Sequence, residues 1–100
     1  MISITLKITP SLAGALNSGG SDWLVFEREL SDTATIGDLF RDIASGNADF
    51  RDVIFNPDTG IINDLVVVVL NNTLIQSQSI IKSELSDGDI VILLPVYMGG

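Results

Sequence analysis

The chain opens on strict alternation of apolar and polar residues. Ile2, Ile4, Leu6 and Ile8 take one parity, and Ser3, Thr5, Lys7 and Thr9 take the other. Successive side chains of a strand point to opposite faces, so this pattern predicts a strand with one buried and one wet face. Pro10 has no N–H to give to a ladder and ends it. Residues 11–21 carry Gly14, Gly19 and Gly20 and read as a flexible connection, with a short turn of Leu12, Ala13 and Leu16. A second strand, about Trp23 to Leu30, sets Leu24, Phe26 and Leu30 against Trp23, Val25, Glu27 and Glu29. Arg28 interrupts the inner set, which predicts a place at the sheet edge.

The period then changes. Ile36, Leu39, Phe40 and Ile43 fall at i, i+3, i+4 and i+7, one apolar stripe along a helix. Thr33 or Thr35 supplies the N-cap, and Asp38 sits in the first turn, where the helix dipole favours negative charge. Gly46-Asn47 stops the helix. Residues 48–64 read as a polar connection punctuated by Phe50, Val53, Ile54 and Phe55, with the turn signal Asn56-Pro57-Asp58-Thr59-Gly60. A third strand runs from Leu65 to Leu70. A turn at Asn71-Asn72-Thr73, where Asn tolerates positive φ, leads to a short strand at Leu74-Ile75. Ile80, Ile81 and Leu85 add core positions before a tight turn at Ser86-Asp87-Gly88-Asp89. The last strand runs from Ile90 to about Tyr97, and Met98-Gly99-Gly100 follow.

The order β-β-α-β-(β)-β predicts a two-layer α+β fold: one amphipathic helix packed on a mixed four- to five-stranded sheet. A sheet that opens with a hairpin and closes with a strand at the chain's end is the plan of the β-grasp. At 100 residues the chain is expected to form a single domain over 1–100, with a flexible Gly-Gly tail.

Two segments break the one-sided pattern. Residues 65–70 and 90–94 are apolar at both parities, yet one helix covers only one sheet face. If Val66, Val68, Val91 and Leu93 face the helix, then Val67, Val69, Ile92 and Leu94 share the opposite, open face. An apolar patch there marks a surface for a partner; the alternatives are that adjacent central strands simply tolerate valine, or that a second copy of the chain covers the patch.

Composition narrows the chemistry. Hydrophobic residues make up 46% and charged residues 18%, ample material for a packed core. No apolar run approaches the roughly 20 residues needed to cross a bilayer, and the alternating start is unlike a signal peptide. With no export signal, a cytoplasmic location is expected. The chain has no cysteine and no histidine, which removes disulfides, thiolate nucleophiles, imidazole bases and most zinc sites. Net charge is −8, and Lys7, Arg28, Arg41, Arg51 and Lys82 form no basic patch, so neither nucleic acid nor an anionic membrane is an expected partner. Asp87 and Asp89 flank Gly88 as turn carboxylates that bond backbone N–H groups, without enough convergent oxygens for a metal. Ser18-Gly19-Gly20-Ser21 lacks the lysine of a phosphate loop. No catalytic constellation emerges, and an enzyme is not expected.

The remaining chemistry is at the end of the chain. Gly99-Gly100 follow an apolar strand and project a slim tail, and backbone without Cβ atoms suits a narrow channel in another protein. Its terminal carboxylate is then the only reactive group that needs presenting.

The run Leu65-Val66-Val67-Val68-Val69-Leu70-Asn71-Asn72-Thr73-Leu74-Ile75, then Leu85-Ser86-Asp87-Gly88-Asp89-Ile90 and an apolar strand with Pro95 ending in Gly99-Gly100, resembles a known family. It is similar to the C-terminal part of the ubiquitin-like sulfur carriers and small modifiers. These include the molybdopterin-synthase small subunit, the thiamine sulfur carrier, the ubiquitin-related modifier and the small archaeal modifiers. The motifs cover about the last third of the chain. Pro95-Val96 stands where the molybdopterin-synthase subunit has Pro-Pro, and Tyr97-Met98 are bulkier than usual. The resemblance implies a ubiquitin-like β-grasp that binds no cofactor itself. An E1-like partner would use ATP to adenylate the Gly100 carboxylate. The product would become a thiocarboxylate for a sulfur-acceptor enzyme, or be joined to lysines of target proteins. The alternative is a non-covalent β-grasp module or complex subunit. In the first reading Gly99 and Gly100 are the activation site, and Val67, Val69, Ile92, Leu94, Val96, Tyr97 and Met98 bind the partner. Lys7 and Lys82 are the only lysines, which disfavours chains built on itself.

Overall fold

The computed structural model describes residues 1–10, 12, 23–56, 61–62, 66–75 and 79–95. In chain order the elements are β1 (Ile2–Ile8), β2 (Leu24–Leu30), α1 (Ile36–Gly46), α2 (Ala48–Val53), β3 (Phe55–Asn56), β4 (Ile61–Ile62), β5 (Val66–Leu70), β6 (Thr73–Ile75) and β7 (Ile90–Pro95). The main sheet has five strands in the order β2-β1-β7-β5-β6, and β3 and β4 form a separate two-stranded pair. Strands β1 and β7 are parallel, and the other neighbours are antiparallel. The expected α+β β-grasp, with a mixed sheet, is the fold observed.

Alternation places β1 as expected. Ile4, Leu6 and Ile8 are almost wholly buried, while Ser3 is exposed and Thr5 and Lys7 are partly so. In α1 the stripe of Ile36, Leu39, Phe40 and Ile43 joins these residues in one core with Val68, Val91 and Leu93. Each such side chain contributes about 1.5–3 kcal/mol on burial. Thr35 is the N-cap. Its hydroxyl accepts from the Asp38 N–H at 3.2 Å, and the Asp38 carboxylate accepts from the Thr35 N–H at 3.0 Å.

Residues 48–64 differ from the polar connection expected. Asn47 ends α1 with its backbone N–H on the Ala44 carbonyl, and its Oδ1 then accepts from the Phe50 N–H at 3.0 Å to start α2. A six-residue helix is too short for a helical period to show, and its signal is the cap. Phe50, Ile54 and Phe55 are buried. The four phenylalanines form a chain of edge-on and tilted contacts: Phe26 to Phe50 at 6.3 Å, Phe50 to Phe40 at 5.7 Å, and Phe40 to Phe55 at 6.2 Å. This chain ties β2, α1, α2 and β3 together. The β3–β4 pair was not anticipated. It brackets the Asn56–Gly60 turn signal, of which Pro57–Gly60 lie outside the described residues.

Strand β2 begins at Leu24, one residue later than expected, and is the sheet edge that Arg28 foretold. The Arg28 guanidinium turns toward the helices, 3.1 Å from the Asp42 carboxylate and 5.4 Å from the centre of the Phe26 ring. An inward-facing charge on an edge strand discourages pairing with another chain. Ala13 and Leu16 of the first connection lie outside the described residues, while Leu12 packs against the core.

The two turns that set β7 are built as their residues require. Asn71 and Asn72 both have positive φ, 49° and 71°, as a tight hairpin turn demands. Gly88 has φ 85°, where a side chain would be strained. The Asp87 carboxylate accepts from the Ser3 N–H at 2.8 Å, and Asp89 accepts from the Ser86 N–H and the Asn71 amide, each at 2.7 Å. The Asn71 amide oxygen in turn accepts from the Ile90 N–H at 2.9 Å. These bonds fix where β7 starts beside β1 and β5.

Candidate docking face and tail

Strand β7 lies at the centre of the sheet, between β1 and β5. Its alternate residues Val91 and Leu93 are wholly buried on the helix side, together with Val68 and, nearly so, Val66. The other parity, Val67 and Val69 with Ile92 and Leu94, is half-buried on the open face. Val67 pairs with Leu94 and Val69 with Ile92, so the four are direct cross-strand neighbours. Val96, Tyr97, Met98, Gly99 and Gly100 lie outside the described residues.

Register extends the apolar face beyond those four. The row through Ile92 crosses every strand of the sheet: Val25, Lys7, Ile92, Val69, Leu74. Val25 is 48% exposed and Leu74 63%, apolar residues with nothing over them among the described residues. Ile90, 39% exposed, stands on the same face two residues before Ile92. Lys7, half-buried, lies between Val25 and Ile92 in that row. Sequence reasoning did not assign Lys7, Val25, Ile90 or Leu74 to the site. Alternation indicates each residue's face, but neighbours in a row follow from strand order.

The rows nearer the start of β7 are polar: Glu27–Thr5–Ile90, then Glu29–Ser3. At that end of the molecule the Met1 ammonium meets Asp32 at 3.0 Å. That hydrogen bond and the carboxylate's charge hold its pKa above the ordinary value. Among the described residues no cluster of carboxylates is arranged to hold a metal, and no helix is long and apolar enough to cross a membrane. The face is therefore an apolar surface with a charged margin, suited to contact with another macromolecule.

Comparison with known proteins agrees with this architecture. Residues 22–100 match the ThiS family. The fold is similar to the small archaeal modifier protein SAMP1 of Haloferax volcanii, with a TM-score of 0.73, 20% identity, and coverage of 98% of this chain and 99% of that one. It is also similar to a chain of the Amycolatopsis orientalis BexX/CysO complex, with a TM-score of 0.68, 21% identity, and coverage of 97% and 99%. A protein of Pyrococcus furiosus described as molybdopterin converting factor subunit 1 gives 0.67 at 19% identity, covering 97% of this chain and 100% of that one. No curated protein sequence matches the chain. The family match takes in β2 through β7 and the terminal glycines, and the chain belongs to the ThiS family of small, non-catalytic ubiquitin-like carriers.

Proposed function

We propose that this protein is a carrier activated at the carboxylate of Gly100. In the first step a carboxylate oxygen attacks the α-phosphorus of ATP held by an E1-like partner. Pyrophosphate leaves, and Gly100 is joined to AMP as a mixed anhydride. Hydrosulfide, or a sulfur donor equivalent to it, then adds at the carbonyl carbon and expels AMP, giving a thiocarboxylate that serves as a sulfur donor. If a cysteine thiolate of the partner attacks instead, the product is a thioester, and a lysine amine of a target protein displaces that thiolate to form an amide. In both branches the chain supplies the carboxylate and the docking surface, and the ATP site belongs to the partner.

The observation that carries this reading is the family match running through Gly99-Gly100, which follow in sequence a strand, Ile90–Pro95, held at the centre of the sheet. A rigid body ending in two residues without side chains delivers a carboxylate into a channel at low steric cost. The partner-binding role falls to Val67, Val69, Ile92 and Leu94, with Val96, Tyr97 and Met98 leading to the tail. ATP–pyrophosphate exchange by the activating enzyme tests the first step. The full chain supports exchange and a chain lacking Gly100 does not. Equal exchange with both chains refutes the reading.

A further inference from the structure

The row through Ile92 is nearly symmetric in its chemistry and is broken at one place. In order it reads Val25, Lys7, Ile92, Val69, Leu74. Turned half round about Ile92, it sets Val25 on Leu74, both apolar and exposed, but Lys7 on Val69. Within this row Lys7 alone tells the two directions across the sheet apart. Three residues separate Ile92 from Pro95, so at about 3.3 Å per residue the row lies about 10 Å short of the end of β7.

Lys7 also differs from most of the other cations in having no anion. Arg28 is held by Asp42, Arg41 by Asp38, Arg51 by Asp52, and the Met1 ammonium by Asp32. Lys7 makes no ion pair with any described residue. Exposed Glu27 stands one row away, opposite Thr5, without closing on it to ion-pair distance. Lys82, the other lysine, follows Ile81, whose carbonyl accepts the Gly37 N–H of α1, and so lies off this face. Among the described strand residues of the open face, Lys7 is the only cation.

A partner that covers the apolar row must cover Lys7 with it, since Val25 and Ile92 flank it directly. Taking a half-buried ammonium fully out of water without an anion is costly, and a carboxylate set against it offsets that cost. Resting on the carrier reading, we infer that the activating enzyme places an aspartate or glutamate carboxylate against Lys7, and that this pair fixes the direction in which the sheet is docked. Elsewhere a body of net charge −8 repels an acidic group, so a carboxylate is accepted over Lys7 and not over Val69. Docked the other way round, the same carboxylate would meet Val69, and Lys7 would be buried unpaired. A second copy of the chain fits poorly, because two bodies of like charge repel.

Pyrophosphate exchange and amine labelling, both on the full chain with its activating enzyme, test this. Lys7→Met keeps the length of the side chain and removes its charge. It should raise KM about tenfold with kcat and the urea midpoint unchanged, while Lys7→Arg stays within about threefold of the parent. An equal or lower KM for Lys7→Met overturns the proposal, and so does a KM rise that tracks a lowered urea midpoint. Acetylation of the unaltered chain gives the second readout, with Lys82 as internal reference. The enzyme should protect Lys7 and leave Lys82 at its free rate, and equal rates at Lys7 in free and enzyme-bound chain overturn the proposal. Exchange indifferent to Gly100 removes the carrier reading, and protection of Lys7 by the enzyme then decides the docking claim alone. Sedimentation showing a dimer that Lys7→Glu dissociates would assign the row to a second copy and overturn the proposal.

Discussion

The two sides of β5 and β7 are made of the same residue types and meet opposite surroundings. On the helix side Val68, Val91 and Leu93 are sealed under α1 with Leu39, Phe40 and Ile43. On the other side Ile92 and Val69 stand with Lys7 in the middle of a row ending in exposed Val25 and Leu74, and Leu94 pairs with Val67 in the next apolar row. Folding accounts for the first set, since burial of apolar area is what holds the two layers together. It does not account for the second, which leaves apolar surface in water. A β-strand with one wet face ordinarily reads like β1, with Ser3, Thr5 and Lys7 outward. The contrast teaches that an apolar residue here has one of two roles, stability or contact, and that parity along the strand decides which.

Substitution at neighbouring positions separates these roles. The largest expected effect is on the covered side, where Leu93→Ala opens a cavity and costs about 2–5 kcal/mol, read from urea unfolding. Gly37→Ala should come next. A Cβ there would stand 2.8 Å from both Cγ2 and the carbonyl oxygen of Ile81, whose oxygen also accepts the Gly37 N–H at 3.2 Å. The crowding should cost about 1–3 kcal/mol against the helix preference for alanine, seen as a lowered Tm. Thr35→Ala removes one half of the capping box and should cost about 1 kcal/mol in the same assay. The smallest stability effect belongs to the open side. Ile92→Asp should change unfolding by less than about 1 kcal/mol yet abolish saturable exchange with the activating enzyme. If Ile92→Asp unfolds the chain, the two faces are not distinct in kind and the comparison breaks.

How far this could be read from the residues alone varies from place to place. The strand periods, the Thr35 cap, the Asn71-Asn72 turn and the edge position of Arg28 are local properties, and the chain displays them directly. The double parity of residues 65–70 and 90–94 likewise points to a second apolar face. What stayed hidden depends on distant pairing or on very short elements. Lys7 joins the row of Ile92 only because β1 lies parallel beside β7. Val25 and Leu74 look like scattered surface residues until strand order puts them at the ends of that row. Helix α2 announces itself only through Asn47, which ends one helix and caps the next. The apolar end adjoining the tail and the acidic end remote from it emerge only from the assembled register.

The most direct test of the whole account is the intact mass of the chain after incubation with its E1-like enzyme, ATP and sulfide. One oxygen-for-sulfur exchange located at Gly100, or covalent transfer of Gly100 to lysines of other proteins, is the predicted result. A chain whose mass is unchanged and that forms no adducts, while the enzyme activates another carrier normally, would contradict it.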